Sequence, residues 1–159
     1  MASDIKSTWN NDLAECDIKQ SGGDLVAELG LETAVYMSLF TDRQANVDDE
    51  IPDGTDNRRG WWGDLVNNTN DDKIGSRLWL LDRSKTDDQT VADAKFYCEE
   101  ALQWMIDDGV CMDIEVEVER QDIEGSASRL AFRCSIMQSD GTITAIKYND
   151  LWTAQMEAA

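Results

Sequence analysis

A chain of 159 residues, 42% apolar and 30% charged, has the length of one domain and the composition of an ordinary folded protein, which excludes disorder as its main state. Its 33 Asp and Glu against 14 Lys and Arg leave a net charge of −19, which makes the chain a poor candidate for gripping a nucleic-acid backbone, and basic partner surfaces fit better. The absence of histidine removes the commonest general base and the usual partner of a Ser or Cys nucleophile, and most hydrolase triads go with it.

The first thirty residues alternate apolar and polar positions in short bursts (Ala14, Cys16, Ile18, then Leu25 and Ala27) around Gly22-Gly23, which predicts two short strands in a hairpin. From Leu31 to Phe40, the residues Leu31, Ala34, Val35, Ser38 and Leu39 fall at helical spacing, with Glu32 in the first turn. Residues 41–75 hold the only proline, Pro52, four glycines and little periodicity, so they read as a long loop. A connection of this length inside a compact domain is uncommon and tends to be functional. Trp61-Trp62 within it can bury their apolar area only against the domain's own core or against a partner. Ile74 to Lys85 predicts a further helix carrying Leu78, Trp79 and Leu81 near one face. Thr90 to Asp108 is the best-defined element: Val91, Ala94, Cys98, Ala101, Leu102, Met105 and Ile106 keep a helical stripe for about five turns, and Gly109 stands where a helix C-cap glycine belongs.

After Gly109 the period switches to two. Ile114, Val116 and Val118 alternate with Glu115, Glu117 and Glu119, and Leu130, Phe132, Cys134 and Ile136 alternate with polar or small residues. Ser139-Asp140-Gly141-Thr142 then turns into a third strand through Ile146 and Tyr148. Asp150-Leu151-Trp152 reads as a final apolar anchor. The fold class is α+β: a small antiparallel sheet, made of a C-terminal three-stranded meander plus an N-terminal hairpin, packed against two to three helices. The reading is a single domain over 1–159 with a long docking loop at 41–75.

No stretch has the 18 to 20 continuous apolar residues of a membrane span, and the start lacks a signal-peptide core, so a soluble, unsecreted protein is expected. Cys16, Cys98, Cys111 and Cys134 are widely spaced and read as buried thiols. The loop acids Asp48, Asp49, Glu50, Asp53 and Asp56 fail as a calcium loop, because counting from Asp49 puts Ile51 third and Gly60 twelfth, where ligands are required. No glycine pattern for nucleotide binding is present, and neither metal nor other cofactor is expected. Glu115, Glu117 and Glu119 read as a solvated face, with Arg129 and Arg133 on the next strand able to neutralise part of it. Arg and Trp are enriched where binding energy concentrates in protein interfaces, which singles out Arg58, Arg59, Trp61 and Trp62. The competing reading packs the tryptophans onto the core and pairs the arginines with local acids.

The run Asp53-Gly54-Thr55-Asp56-Asn57-Arg58-Arg59-Gly60-Trp61-Trp62-Gly63-Asp64, followed by Ile74-Gly75-Ser76-Arg77-Leu78-Trp79-Leu80-Leu81, resembles the tail baseplate family of Mu-like phages named for gene product forty-six. Thr41-Asp42-Arg43, Glu99-Glu100-Ala101-Leu102-Gln103-Trp104, Asp108-Gly109-Val110 and Asp150-Leu151-Trp152 extend the resemblance over nearly the whole chain, and Gln44 to Glu50 match least. That family is similar to the small wedge protein of T-even phages, whose fold group is lysozyme-like in name and is not known for catalysis.

The resemblance implies a structural, non-enzymatic part of a contractile tail, located in the virion baseplate and assembled in the host cytoplasm. Six copies or a multiple would surround the hub and inner tube, contact the large wedge proteins and start the tail sheath, whose first ring would attach by strand exchange with this domain's sheet. An antiparallel meander with a free edge is the template such β-augmentation needs. The candidate interface is therefore Arg58, Arg59, Trp61, Trp62, Asp64 and Arg77 on the loop side, and Thr142, Thr144, Ile146 and Tyr148 on the last strand. Two other classes compete: an acidic decoy that mimics DNA, motivated by the charge, and a peptidoglycan glycosidase, which needs only two placed carboxylates.

Overall fold

In the computed structural model, residues 4–5, 7–10, 15–18, 20–21, 24–25, 27–28, 30–65, 73–82, 84, 86–122 and 128–149 are described. The elements run β1 (Asp4–Ile5), β2 (Ser7–Asn10), β3 (Glu15–Ile18), β4 (Gln20–Ser21), β5 (Asp24–Leu25), β6 (Ala27–Glu28), α1 (Leu31–Phe40), α2 (Asp88–Asp107), β7 (Asp113–Gln121), β8 (Arg129–Met137) and β9 (Ile143–Tyr148). Two short 3-10 turns, Trp62–Leu65 and Leu78–Leu81, lie between the helices.

The N-terminal segments pair antiparallel as β1 with β6, β2 with β3, and β4 with β5. This replaces the two strands of a single hairpin expected from the sequence. The apolar bursts there are too short to hold one register, so each ladder covers only a few residues.

α2 is the long helix the stripe predicts, and both of its ends are capped by local chemistry. Asp87 accepts a hydrogen bond from the Thr90 N–H at 2.9 Å, satisfying one donor of the first turn. At the other end Gly109 sits at φ 69°, donating to the Ile106 carbonyl at 3.0 Å while Val110 donates to Met105 at 2.8 Å. That pair of bonds is the Schellman arrangement, and the left-handed backbone it requires is why a glycine stands there.

β7, β8 and β9 form one antiparallel sheet in that order, with Val116 opposite Cys134 and Cys134 opposite Ile146. Alternation sends Val116, Val118, Leu130, Phe132, Cys134, Ile136, Ile146 and Tyr148 to the inner face. α2 packs on β7 through Ala94, Cys98, Leu102 and Met105, and α1 adds Val35, Leu39 and Phe40 to the same core. Fully buried leucines such as Leu39, Leu102 and Leu130 each stabilise the fold by about 1.5–3 kcal/mol relative to exposure. Phe40 meets Tyr148 edge-on at 5.1 Å and Phe132 stacks on it at 5.7 Å, so the last strand is tied to both the first helix and its neighbour.

Cys98, Cys111 and Cys134 are free and buried. Burial pushes the Cys134 thiol up to about 12 and the Cys98 thiol higher still, which leaves neither reactive as thiolate. The side chain of Cys16, the anchor at Asp150-Leu151-Trp152 and residues 66–72 lie outside the described residues.

The helix expected over 74–85 is reduced to the turn at Leu78–Leu81. Its start is diverted: the Ser76 N–H donates to Thr41 O and the Arg43 N–H donates to Ser76 O, both at 2.9 Å, as a parallel bridge between Asp42 and Ser76. Backbone groups used across the chain cannot also feed an i to i−4 ladder. Gly75, at φ 99°, makes the bridge possible, since a Cβ there would stand 2.2 Å from Thr41 O.

Candidate docking surfaces

The loop after α1 is held by arginines. Arg77 is only 6% exposed, at the head of the apolar run Leu78-Trp79-Leu80-Leu81. Its guanidinium reaches both oxygens of Asp49 at 2.9 and 3.0 Å and both of Glu100 at 3.0 and 3.1 Å, and stands 4.8 Å from the Tyr97 ring. One side chain thus fastens the loop to α2 through two bidentate pairs. Burial opposes its charge, but the bonds to Glu100 and Asp49 outweigh that and hold it protonated above the ordinary arginine value. Asp49, from which the calcium-loop count starts, is therefore committed to an internal ion pair. Among the described residues no cluster of three or more acidic or thiol groups is placed to hold a metal.

Arg58 donates to the Asn46 and Val47 carbonyls, the latter at 2.8 Å, closing the loop on itself. Arg59 bridges Asp42 at 2.9 Å and Asp82 at 3.4 Å and lies 4.6 Å from the centre of the Trp79 ring. It adopts a positive φ of 47°, held by a bond from its N–H to the Asn57 side chain at 3.1 Å. Both arginines expected to reach a neighbour thus have partners inside the chain, and Arg59 keeps part of its surface open. Trp79 is buried, donating to the Arg43 carbonyl at 2.9 Å, and with Ala45 and Leu80 forms a second small core beneath the loop.

Trp61 and Trp62 are different. Their rings are 5.5 Å apart, and they remain 38% and 73% exposed. Gly63 lets the Trp61 ring lie against its backbone: a Cβ there would stand 2.0 Å from the ring, which would have to swing aside. Asp64 donates its N–H to Trp61 O and accepts from the Ile74 N–H at 3.4 Å, tying the aromatic turn to the segment before the bridge. The result is an aromatic platform on a backbone fixed by several long-range bonds.

On the last strand, Ile146 and Tyr148 point into the core, whereas Thr142 is exposed before the strand and Thr144 is half-buried within it. β9 has β8 on one side and, among the described residues, no strand on the other. The loop surface and the strand surface are separate elements; Arg77 belongs to the interior rather than to either.

A family model described as phage protein GP46 matches residues 31–143, from the start of α1 to the first residue of β9. The chain belongs to the phage GP46 family. Among curated proteins it is similar to the baseplate protein gp46 of Escherichia phage Mu, 45% identical over 117 residues that span 74% of this chain and 77% of the relative. It is also similar to the Mu-like prophage FluMu protein gp46 of Haemophilus influenzae, 36% identical over 114 residues, 72% of this chain and 74% of that one. No solved structure matches. The GP46 match takes in the arginine-held loop, the tryptophan pair and α2, while β1 to β6 precede it.

The interior clamp of Arg77 is the feature that reading by residue type missed. An arginine flanked by Ser76 and by Leu78-Trp79-Leu80-Leu81 carries a signal, since a charge in an apolar run is buried only when paired. Its partners, 28 and 23 residues away, leave no local trace.

Proposed function

We propose that this chain joins the baseplate, around the hub and inner tube, to the first ring of the tail sheath, by accepting a strand of a neighbour along the free side of β9. The broader statement is established by family: it is a structural protein of a phage tail baseplate, part of the virion, and not an enzyme. The observation that carries the finer reading is the position of β9, last in the sheet order and unflanked on its outer side among the described residues. Tyr148 and Ile146 lock that strand to the core, so a strand added there would be coupled mechanically to α1 and α2. The exposed Trp61 and Trp62 serve as a second contact, to a large wedge protein or the hub, with the open part of Arg59 beside them. Six copies or a multiple around the axis fit such a connector.

The acidic surface orients basic partners and keeps free copies apart before assembly. A DNA-mimic role has less support, because the acids on the outer face of β7 are interrupted across the sheet: Glu117 stands opposite Arg133, 3.4 Å away, and Arg133 opposite Lys147.

Hydrogen exchange and native mass of the protein, alone and mixed with its sheath and wedge proteins, test the reading. A monomer that gains protection at 143–148 and 54–64 only in the mixture supports it. Unchanged exchange and no complex would leave β9 without a partner and defeat it. The double variant Trp61→Ala with Trp62→Ala separates docking from packing: assembly lost with the domain's stability retained is expected, and assembly intact with stability lowered would place the pair in the core.

A further inference from the structure

A groove of about 870 Å³ is lined by α1, α2 and residues 73–75. Its apolar lining comes from Met37, Ile74, Phe96 and Trp104, four large side chains that are all exposed, Phe96 to 56%. Trp104 is held in place: its indole N–H donates to the Ser38 hydroxyl at 2.9 Å across the two helices, so the ring presents an apolar face with its one donor already satisfied. The Glu99-to-Trp104 segment singled out in the sequence borders this groove together with Arg43, and neither the β9 edge nor the Trp61–Trp62 platform uses them.

The lining carries charge of both signs. α2 supplies Glu99 and Asp107, Asp108 follows at its C-terminal cap, and Arg43 and Lys73 come from the segments outside the helices. Phe96, Glu99, Gln103 and Asp107 follow one another along the same face of α2. Glu99 and Asp107 are two turns apart, about 12 Å at 1.5 Å per residue. Both long walls are helices whose backbone groups are already bonded within them, so an incoming strand would find no row of main-chain partners there. An occupant must bring its own satisfied backbone and bind through side chains, which is the helix-in-groove mode.

We propose that this groove receives an amphipathic helix of a neighbouring baseplate subunit, with large apolar side chains on the aromatic floor and basic residues at i and i+7 or i+8 against Glu99 and Asp107. Acidic residues elsewhere on the helix meet Arg43 and Lys73, which also line the groove. The inference rests on the baseplate assignment but not on strand addition at β9.

The test is photo-cross-linking in assembled tails, with p-benzoylphenylalanine replacing Phe96 in one protein and Ile143, at the start of β9, in another. Peptide mapping of the Phe96 product is expected to return a helical segment of another baseplate protein with the stated apolar and basic spacing. A strand or loop segment, a second copy of this chain, a segment of the same chain, or no product would overturn the proposal. If position 143 cross-links and position 96 does not, the groove proposal falls while strand addition stands. The reverse result retains the groove and rejects strand addition. Glu99→Lys with Asp107→Lys should lower the Phe96 cross-link at least about fivefold and leave the Ile143 cross-link as it was. An unchanged Phe96 yield in that variant would overturn the charge pairing.

Discussion

Arg77 shows how much of this structure hangs on single side chains. Removing it in Arg77→Ala leaves Asp49 and Glu100 facing each other near an apolar floor without their counter-charge. A loss of about 3 kcal/mol is expected, at the low end for broken buried pairs because both acids keep some contact with water. Urea denaturation measures it, and Arg77→Lys should restore only a minor part, since an ammonium cannot make two bidentate pairs at once. At Gly75 the argument is steric rather than electrostatic. Gly75→Ala forces a Cβ toward the Thr41 carbonyl in a backbone region that side chains avoid, and should cost more than about 2 kcal/mol and free the loop from residue 76. Limited proteolysis within 41–65 reads the second effect. The glycine was visible in the sequence, but the reason for it was not, because Thr41 lies 34 positions away in the chain.

At the scale of elements, the two periodicities separated helix from strand wherever a run was long enough. α2 keeps its stripe for five turns and carries its own stop signal in Gly109, so its span was legible to within two residues at the start. The sheet strands were legible for the same reason, with one face apolar and the other carrying Glu115, Glu117 and Glu119. Ile74 to Lys85 misled because Leu78, Trp79 and Leu81 are all buried, yet from a 3-10 turn hung on the Asp42–Ser76 bridge Leu78 and Leu81 enter the main core and Trp79 the second one. The α2 cap supplies a pH prediction. Backbone and side-chain bonds from Thr90 hold the Asp87 carboxyl below its ordinary value. A carboxyl depressed on folding contributes stability that is present above its unfolded pKa, about 3.9, and is lost as pH falls through the lower folded value. Asp87→Ala should therefore melt at a lower temperature than the parent at pH 7, and the gap should narrow toward zero below about pH 3. Melting curves by circular dichroism across that range would refute the cap if the gap were constant.

For the molecule as a whole, the net charge of −19 opposes its own compact state. Raising salt from about 10 mM to about 1 M shortens the screening length from about 30 to about 3 Å, which removes most of that repulsion. The clamp at Arg77 is screened far less because it is buried. The melting temperature should thus rise with salt, and a fall would mean that exposed ion pairs outweigh the repulsion. Assembly runs the other way: contacts to basic partners should weaken over the same range, as sedimentation of the mixture would show.

Composition and periodicity were sufficient for the α+β class, the two helices, the antiparallel sheet, the buried thiols at Cys98, Cys111 and Cys134 and the acidic character of the surface. Each is a local or additive property, written in neighbours a few positions apart or in a sum over the chain. The family was legible too, in the block around Trp61-Trp62, because a distinctive string survives without any knowledge of its contacts. Folding alone settled which side of the arginine-tryptophan block faces inward. Arg58, Arg59 and Arg77 bind carbonyls and carboxylates 11 to 28 positions away, and Trp79 is taken into the core while Trp61 and Trp62 are left outside. Such pairings depend on where the chain returns in space, and neither residue type nor spacing encodes that return.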